Sequence, residues 1–344
     1  MLLLILTAPT SLFAADTLIF AIDIIRHGDR TPFVYFPVLN HQWKEGLGQL
    51  TAEGMQQEYL MGVEFRKKYI EQEHLLPDNY EQGTMYVRST DYDRTIMSAQ
   101  SLLMGLYPPG KGPYPSESSL PALPHAFQPI PIFNAPAQYD EIIAQQVSTA
   151  ERKKLMEQYV HSTIEWQNKE AELKDQYPRW SQLTGISIKS LEDIQILSDT
   201  LYVHKMHKAP MPEGLSASDI DTIIKSGSWA FMQQEKPQSV GKAYGSKLMN
   251  NIATYLKKGS QSNSKLKYVL LSAHDTTITS ALSFLGAPVE KAPPYASNVN
   301  FSLYDTGSNY YTVQITYNGK PVTIPGCAGT VCELQQFIKL VREI

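Results

Sequence analysis

The residues of this chain that could do chemistry begin at His27, an imidazole between two arginines in the run 25–32, Ile-Arg-His-Gly-Asp-Arg-Thr-Pro. Arg26 and Arg30 concentrate positive charge around the ring, and this arrangement suits an anionic substrate and a nitrogen nucleophile. Taken alone, such a run is more typical of a basic surface turn with an uninvolved histidine. The nucleophile hypothesis therefore depends on partners elsewhere in the chain.

Two further segments supply such partners. Arg88 follows the apolar run 84–87, and His274 and Asp275 come shortly after the apolar run 267–271. Each run, like the one before the basic segment, predicts a buried strand with charged residues at its C-terminal end. In open α/β sheets, ligands bind beyond the carboxyl ends of the strands. If the three strands are parallel neighbours, these charged groups converge on one pocket.

The chemistry that this set favours is phosphoryl transfer. Guanidinium groups match phosphate oxygens and stay charged at any working pH. Positive neighbours lower the pKa of His27, so we expect a neutral ring that attacks phosphorus and carries the phosphoryl group covalently. Asp275 is the candidate acid for the leaving alkoxide; the arginines favour its ionised form, but a bound phosphate raises its pKa again, so acidic pH should help. His274 is expected to be a further phosphate donor.

Metal-dependent hydrolysis fits the sequence less well. The other histidines are scattered, and His204 and His207 lack a carboxylate at ligand spacing. Cys327 and Cys332 have no nearby histidine, which makes a poor zinc site. This cysteine pair forms either a small disulfide loop, as in an exported protein, or two free thiols, as in a cytosolic one. The sequence therefore predicts no metal and no other cofactor.

Hydrophobic patterning predicts the elements that position these groups. The run 18–25 is almost entirely apolar, which is typical of a strand covered on both faces in a parallel sheet. Thr51 can cap a helix that carries one stripe of residues, Met55, Tyr59, Gly62, Val63 and Ile70. The other predicted elements are helices through 96–103 and 276–285 and strands at 300–304 and 311–316. The predicted fold class is α/β, with a mainly parallel sheet flanked by helices on both faces.

The chain divides into three predicted parts. Residues 1–15 resemble a signal peptide with a small-residue site near Ala14, although no Lys or Arg precedes the apolar core. The apolar stretch is interrupted well short of the ~20 residues that a membrane span needs, so export is favoured over an uncleaved anchor. Residues 16–135 and 260–344 predict an α/β catalytic core. Residues 136–259 have helical spacing and no strand signals, and they predict an inserted all-helical lid subdomain.

Composition limits the classes of partner. The 344 residues are 42% hydrophobic and 19% charged, as in a globular protein with a sizeable core. The formal net charge of -4 gives no global reason to expect nucleic acid or a membrane surface. Any selectivity for anions must therefore come from a few placed cations.

These motifs together resemble the histidine acid phosphatase family, in the clade of prostatic and lysosomal acid phosphatases and their bacterial relatives. The segments that carry the resemblance are 26–32, 48–55, 86–95, 128–132 and 272–277. The resemblance implies an α/β core with a helical lid and a possible homodimer. It assigns the phosphohistidine nucleophile to His27 and the proton donor to Asp275. It gives the phosphate contacts to Arg26, Arg30, Arg88 and His274. Animal members carry several disulfides, so one cysteine pair indicates a bacterial periplasmic or secreted relative.

Three functions compete for this sequence. The first is a periplasmic or secreted acid phosphatase acting on small phosphomonoesters: aryl phosphates, nucleotide monophosphates and, as a further candidate, phosphotyrosine. It is favoured because the loop 31–48 holds four aromatic rings and one lysine, Lys44. A phytase or sugar-phosphatase of the same family is the alternative, and it usually has a more basic pocket. A non-catalytic phosphate-binding protein is the third, and it would have no need of a proton donor such as Asp275.

Overall fold

The structure, a computed structural model, describes residues 16–344, so the signal peptide predicted at 1–15 lies outside the described residues. In that part of the chain seven strands form one sheet. They are β1 (Thr17–Arg26), β2 (Met85–Ser89), β3 (Tyr268–Ala273), β4 (Asn298–Asp305), β5 (Tyr311–Tyr317), β6 (Lys320–Pro321) and β7 (Val331–Glu333).

The sheet has the order β2-β3-β1-β4-β5-β6, and β7 also pairs with β5. The strands β2, β3 and β1 are parallel neighbours, whereas the remaining pairs are antiparallel. β1 is buried along most of its length because it lies between β3 and β4 with both faces covered. The three parallel strands therefore end at one edge of the sheet, which confirms the predicted α/β class and brings their carboxyl ends together.

Helices cover both faces of this sheet. The α-helices are α1 (Ala52–Arg66), α2 (Asp93–Leu106), α3 (Thr149–Met156), α4 (Ile164–Leu173), α5 (Tyr177–Thr184), α6 (Leu191–Met206), α7 (Ala217–Glu235), α8 (Gln238–Gly259), α9 (Asp275–Phe284) and α10 (Leu334–Glu343). Single π-helical or 3-10 turns lie at Lys67–Gln72, Pro124–Ala126, Ala137–Tyr139, Glu157–His161 and Lys174–Gln176. Within residues 16–344, none of the helices has the length and apolar character to cross a membrane.

The core has two layers about the sheet and a third cluster in the helical segment. α1 and α2 pack on one face around Ile25 and Leu270, and α8, α9 and α10 pack on the other around Ile24 and Phe301. α3 to α7 share a separate cluster that includes the buried Trp180. α8, at the end of the predicted lid, packs against the sheet, so it belongs to the core layer. The bounds 136–259 for a separate lid unit stay a prediction.

The stripe predicted for α1 is wrong at Met55, Tyr59 and Val63, whereas its other members, Gly62 and Ile70, are buried. More than one third of each side chain is exposed at Met55, Tyr59 and Val63. The helix packs instead through a glycine-containing face: a Cβ at Gly62 would lie 1.9 Å from the carbonyl oxygen of Leu102 on α2. Backbone contact of this kind allows α1 and α2 to cross closely, and the bulky apolar side chains are turned outward.

The C-terminal cysteines lie beside β7. Cys327 and Cys332 are joined by a disulfide bond in the structure. Cys332 belongs to β7 and is buried in the same core as β5 and α10. The bond therefore ties the loop that precedes β7 to the antiparallel side of the sheet.

Candidate active site

His27 lies where β1 ends. Its backbone N–H still donates to the carbonyl oxygen of Ala273 on β3, at 3.0 Å. The next residue passes so close to α1 that a Cβ at Gly28 would lie 2.3 Å from the carbonyl oxygen of Gly54, so only glycine fits there. His27 Nδ1 is 2.8 Å from the carbonyl oxygen of Gly28. Because a carbonyl oxygen only accepts, Nδ1 carries the hydrogen and Nε2 keeps the free lone pair.

The environment of His27 keeps the ring neutral. Burial lowers its pKa well below the ordinary value, and the positive charges of Arg26, Arg94 and Arg30 lower it further. The ring of His274 lies close by, with centroids 5.7 Å apart. A buried neutral imidazole with a free Nε2 has the protonation state that a nucleophile requires.

The third arginine of this group is Arg94, which the sequence analysis did not select. It lies in the first turn of α2, and its Nη2 is 3.5 Å from Nδ1 of His274. Its guanidinium also stacks over Tyr92 at 4.7 Å and Phe33 at 5.3 Å. Burial and the charge of Arg30 lower the pKa of Arg94 to about 10, so it still carries its charge below neutral pH. The signal in the sequence that could have identified Arg94 is its place in the segment 86–95, which carries the family resemblance.

The structure does not bring Arg88 to this group. Its Nη2 pairs with the buried carboxylate of Asp140 at 2.9 Å. Strand alternation is the reason. Val87 packs in the layer of α1 and α2, whereas Arg88 and Tyr86 share the opposite face, where Tyr86 contacts Tyr255 of α8. The predicted phosphate contact from Arg88 is therefore corrected to a structural ion pair.

His274 and Asp275 follow β3 and begin α9. His274 Nε2 lies 3.0 Å from the hydroxyl of Thr90, and burial and Arg94 lower the His274 pKa to about 3. Asp275 Oδ2 pairs with Arg26 at 2.8 Å. Burial opposes its ionisation, but Arg26 and Arg30 outweigh burial and hold the Asp275 pKa below its ordinary value. These two predicted site residues thus lie beside the arginines of the first motif.

Arg26 and Arg30 are held by aromatic rings and by carboxylates. Arg26 stacks on Tyr295, 4.3 Å from the ring centroid, and Arg30 stacks on Phe33 at 3.6 Å. Arg30 also makes a bidentate pair with Asp199 of α6, at 2.8 and 3.1 Å. Nothing in the helical pattern around Asp199 marks it as a site residue, because only tertiary packing brings α6 to this edge.

The guanidinium groups also hold donors without acceptors. Within the described residues, the buried Nε atoms of Arg26, Arg30 and Arg94 have no hydrogen-bond partner. An unpaired buried donor costs about 1–3 kcal/mol, and more for a charged group. Three such donors around one neutral histidine are suited to an anionic acceptor.

A cavity of about 480 Å³ opens above this group. Arg26, Arg30 and Asp275 line its base, and α6 and α7 of the helical segment contribute to its walls. The wall is mostly apolar or aromatic; its side chains include Phe33, Ile196, Tyr202, Phe231, Pro294 and Tyr295. The helical segment therefore shapes the substrate side of the site.

One further group of residues has ligand-type atoms close together. Side-chain atoms of Asp29, Glu53 and His207 lie within 4.8 Å of one another. His207 Nε2 is 2.8 Å from Oδ2 of Asp29, which also accepts a hydrogen bond from Thr51. Hydrogen bonding thus accounts for the contact between His207 and Asp29, and Glu53 is exposed at the rim.

Comparison with known proteins decides the family. A family model described as histidine phosphatase superfamily, branch 2, matches residues 17–318. The chain belongs to this superfamily. This histidine phosphatase is 31% identical to the lysosomal acid phosphatase of Bos taurus, over 96% of the chain and 78% of that protein. It is 30% identical to the prostatic acid phosphatase of Bos taurus, over 96% of the chain and 86% of that protein. The family resemblance is thereby confirmed, and the chain is a phosphatase by family.

Solved structures with the same fold include bacterial phytases. The Klebsiella phytase superimposes with a TM-score of 0.69 at 17% identity, over 95% of this histidine phosphatase and 96% of that chain. The apo form of the Hafnia alvei phytase gives 0.66 at 18% identity, over 98% of both chains. These likenesses support the α/β fold with its helical segment.

Proposed function

We propose that the protein is an acid phosphatase that hydrolyses small phosphomonoesters through a phosphohistidine intermediate on His27. The observation that carries the proposal is the neutral, buried His27 ring beside three arginines whose Nε–H groups have no acceptor among residues 16–344. Arg26, Arg30 and Arg94 are suited to hold the phosphoryl oxygens, and His274 adds a donor in the tautomer that carries its hydrogen on Nδ1 while Nε2 accepts from the Thr90 hydroxyl.

The proposed reaction has two steps. His27 Nε2 attacks phosphorus, an N–P bond forms, and the P–O bond to the alcohol breaks. Asp275 gives its proton to the leaving oxygen, then takes a proton from the water that cleaves the N–P bond. The ion pair with Arg26 favours the ionised carboxyl. A bound phosphate dianion shares that arginine and raises the pKa of Asp275, so the acid form is favoured in the complex and at acidic pH.

We propose the periplasm or the extracellular space as the location. The predicted signal peptide at 1–15 supports export, and the Cys327–Cys332 disulfide is typical of an oxidising compartment.

The homodimer stays a prediction. So do the predicted substrates, which are aryl phosphates, nucleotide monophosphates and phosphotyrosine. The apolar and aromatic cavity wall favours such esters over phytate, because a polyanion needs more cations than this wall offers.

The test of the proposed function is phosphate release from p-nitrophenyl phosphate, AMP, phosphotyrosine and phytate, from mild acid to neutral pH without added metal. We expect the wild type to prefer, in acid, the three substrates that carry a single phosphate group, and His27→Ala to fall to background. Asp275→Asn should lose on the order of 10²–10⁴-fold in kcat, and less on p-nitrophenyl phosphate, whose leaving group needs little protonation. An active His27→Ala variant, or an absolute requirement for divalent metal, would overturn the mechanism.

A further inference from the structure

The helical segment places one carboxylate inside the cavity, beside the proposed phosphate site. Asp199 of α6 occupies both Nη atoms of Arg30, at 2.8 and 3.1 Å. Arg30 is buried and only a quarter of the Asp199 side chain is exposed. Ion pairs of this bidentate kind hold both partners in a fixed orientation. Asp199 therefore presents a fixed negative charge to the cavity.

The phosphate and Asp199 need not compete for the same edge of Arg30. Asp199 takes the edge formed by the two Nη atoms, and the buried Nε of Arg30 has no partner among the described residues. A guanidinium has a second edge, formed by Nε and one Nη, whose N–H groups can donate to another anion. A phosphate bound there leaves Asp199 in position, close to the path of the leaving alcohol.

The other charged side chains of the cavity do not compensate the negative charge of Asp199. Of the described residues that line it, the cations are Arg26 and Arg30, and each already faces a carboxylate, Asp275 or Asp199. The rest of the wall is apolar, aromatic or uncharged. With Asp275 protonated, the charges of the three site arginines and of Asp199 sum to what one phosphate dianion balances, and no positive charge is left for a second anion. A second anionic group on the substrate would meet the charge of Asp199 in a poorly solvated space.

We infer that Asp199 is a specificity-determining residue that selects phosphomonoesters whose alcohol part carries no net negative charge. This inference rests on the proposed function, since it assumes that the phosphate binds at the arginines beside His27. Removal of the Asp199 charge should improve doubly anionic substrates relative to singly anionic ones. The readout is the ratio between the two kinds of substrate and not the activity on either one, because Asp199 also holds Arg30.

The experiment compares two substrates that differ by one carboxylate, phenyl phosphate and carboxyphenyl phosphate. The ratio of their kcat/KM values is measured for the wild type, Asp199→Asn and Asp221→Asn. Asp221 is an exposed carboxylate of α7 paired with Lys225, so its variant makes the same change in net charge outside the cavity. We expect the preference for phenyl phosphate to fall about tenfold in Asp199→Asn, equivalent to about 1.4 kcal/mol. Asp221→Asn should keep the wild-type ratio.

A binding measurement separates this inference from the proposed function. Calorimetric titration with phenylphosphonate and carboxyphenylphosphonate gives the same ratio without turnover, so selection is tested even if the wild type hydrolyses neither ester. An unchanged ratio in Asp199→Asn would overturn the inference. So would an equal loss on both substrates by a variant with wild-type circular dichroism and melting temperature, because Asp199 would then only position Arg30.

Discussion

Three positive charges and burial set the state of His27. The same neighbours act on His274, whose pKa falls to about 3, so both rings are neutral in mild acid. Asp275 is held ionised by Arg26 and Arg30 despite its burial. At the scale of single residues, the site therefore combines a nucleophile that is already neutral with an acid that must gain its proton when the substrate binds.

Arg88, near the end of β2, and Arg94, in the first turn of α2, have different surroundings, and this leads to a prediction. We expect Arg94→Ala to lower kcat/KM on the order of 10²-fold, because one donor to the developing charge is lost. Its thermal stability should stay near that of the wild type. Arg88→Ala should keep kcat/KM but lose about 3 kcal/mol of unfolding free energy, because the buried Asp140 would lose its counter-charge and keep only the backbone N–H groups of Ile142 and Ile143. Kinetics on p-nitrophenyl phosphate and urea unfolding measure both effects. Equal catalytic losses in the two variants would contradict this assignment.

At the scale of elements, the sequence predicted at which strand ends the charged residues lie, but not on which face of the sheet each side chain lies. Apolar runs located β1, β2 and β3 within one or two residues, because buried parallel strands have little other composition. The choice between Arg88 and Arg94 depends on strand alternation and on where α2 begins. Asp199 depends on how α6 packs, and no local pattern encodes that. The apolar pattern of α1 does not mark its packing face, because that face includes Gly54 and Gly62.

The crossing of α1 and α2 gives a prediction at this scale. A Cβ at Gly62 would lie 1.9 Å from the carbonyl oxygen of Leu102, and at Gly105 it would lie 2.2 Å from that of Tyr59. We expect Gly62→Ala to destabilise the protein by about 1–3 kcal/mol, because the two backbones must separate. Leu60→Ala, at an exposed position of the same helix, is the control and should change little. Midpoints of urea unfolding compare them, and a stable Gly62→Ala protein would show that the helices separate at no cost.

At the scale of the whole molecule, buried ionisable groups change the stability of the folded state in opposite directions as the pH changes. Burial raises the pKa of Asp23, of Glu58 and, to about 7, of Glu235. The carboxyl groups with raised pKa values favour the folded state at acidic pH, and this contribution is lost as the pH rises. The two site histidines, whose pKa values are lowered, favour folding above their unfolded pKa values and oppose it in acid. The fold thus combines carboxyl groups that stabilise it in acid with two site histidines that must stay neutral there.

Glu58 isolates the acid-stabilising contribution, and it gives the last prediction. It lies buried on α1, and within residues 16–344 neither carboxylate oxygen has a hydrogen-bond partner. Burial raises its pKa well above the ordinary 4.5. Between 4.5 and that raised value the unfolded chain releases a proton that the folded protein keeps, so stability falls as pH rises. Gln cannot ionise, so Glu58→Gln should match the wild type near about pH 4.5 and exceed it by at least about 1 kcal/mol near about pH 7.5.

The measurement is the free energy of urea unfolding at several pH values for the wild type, Glu58→Gln and Glu64→Gln. Glu64 is an exposed residue of the same helix, so its variant controls for the general effect of losing a carboxyl group. His27 and His274 titrate in all three proteins, and their contribution cancels in each difference from the wild type. The gain of Glu58→Gln must therefore grow with pH while that of Glu64→Gln stays flat. A gain that does not change with pH would mean that Glu58 is already ionised in the folded protein, with its charge met by a group that the described contacts do not include.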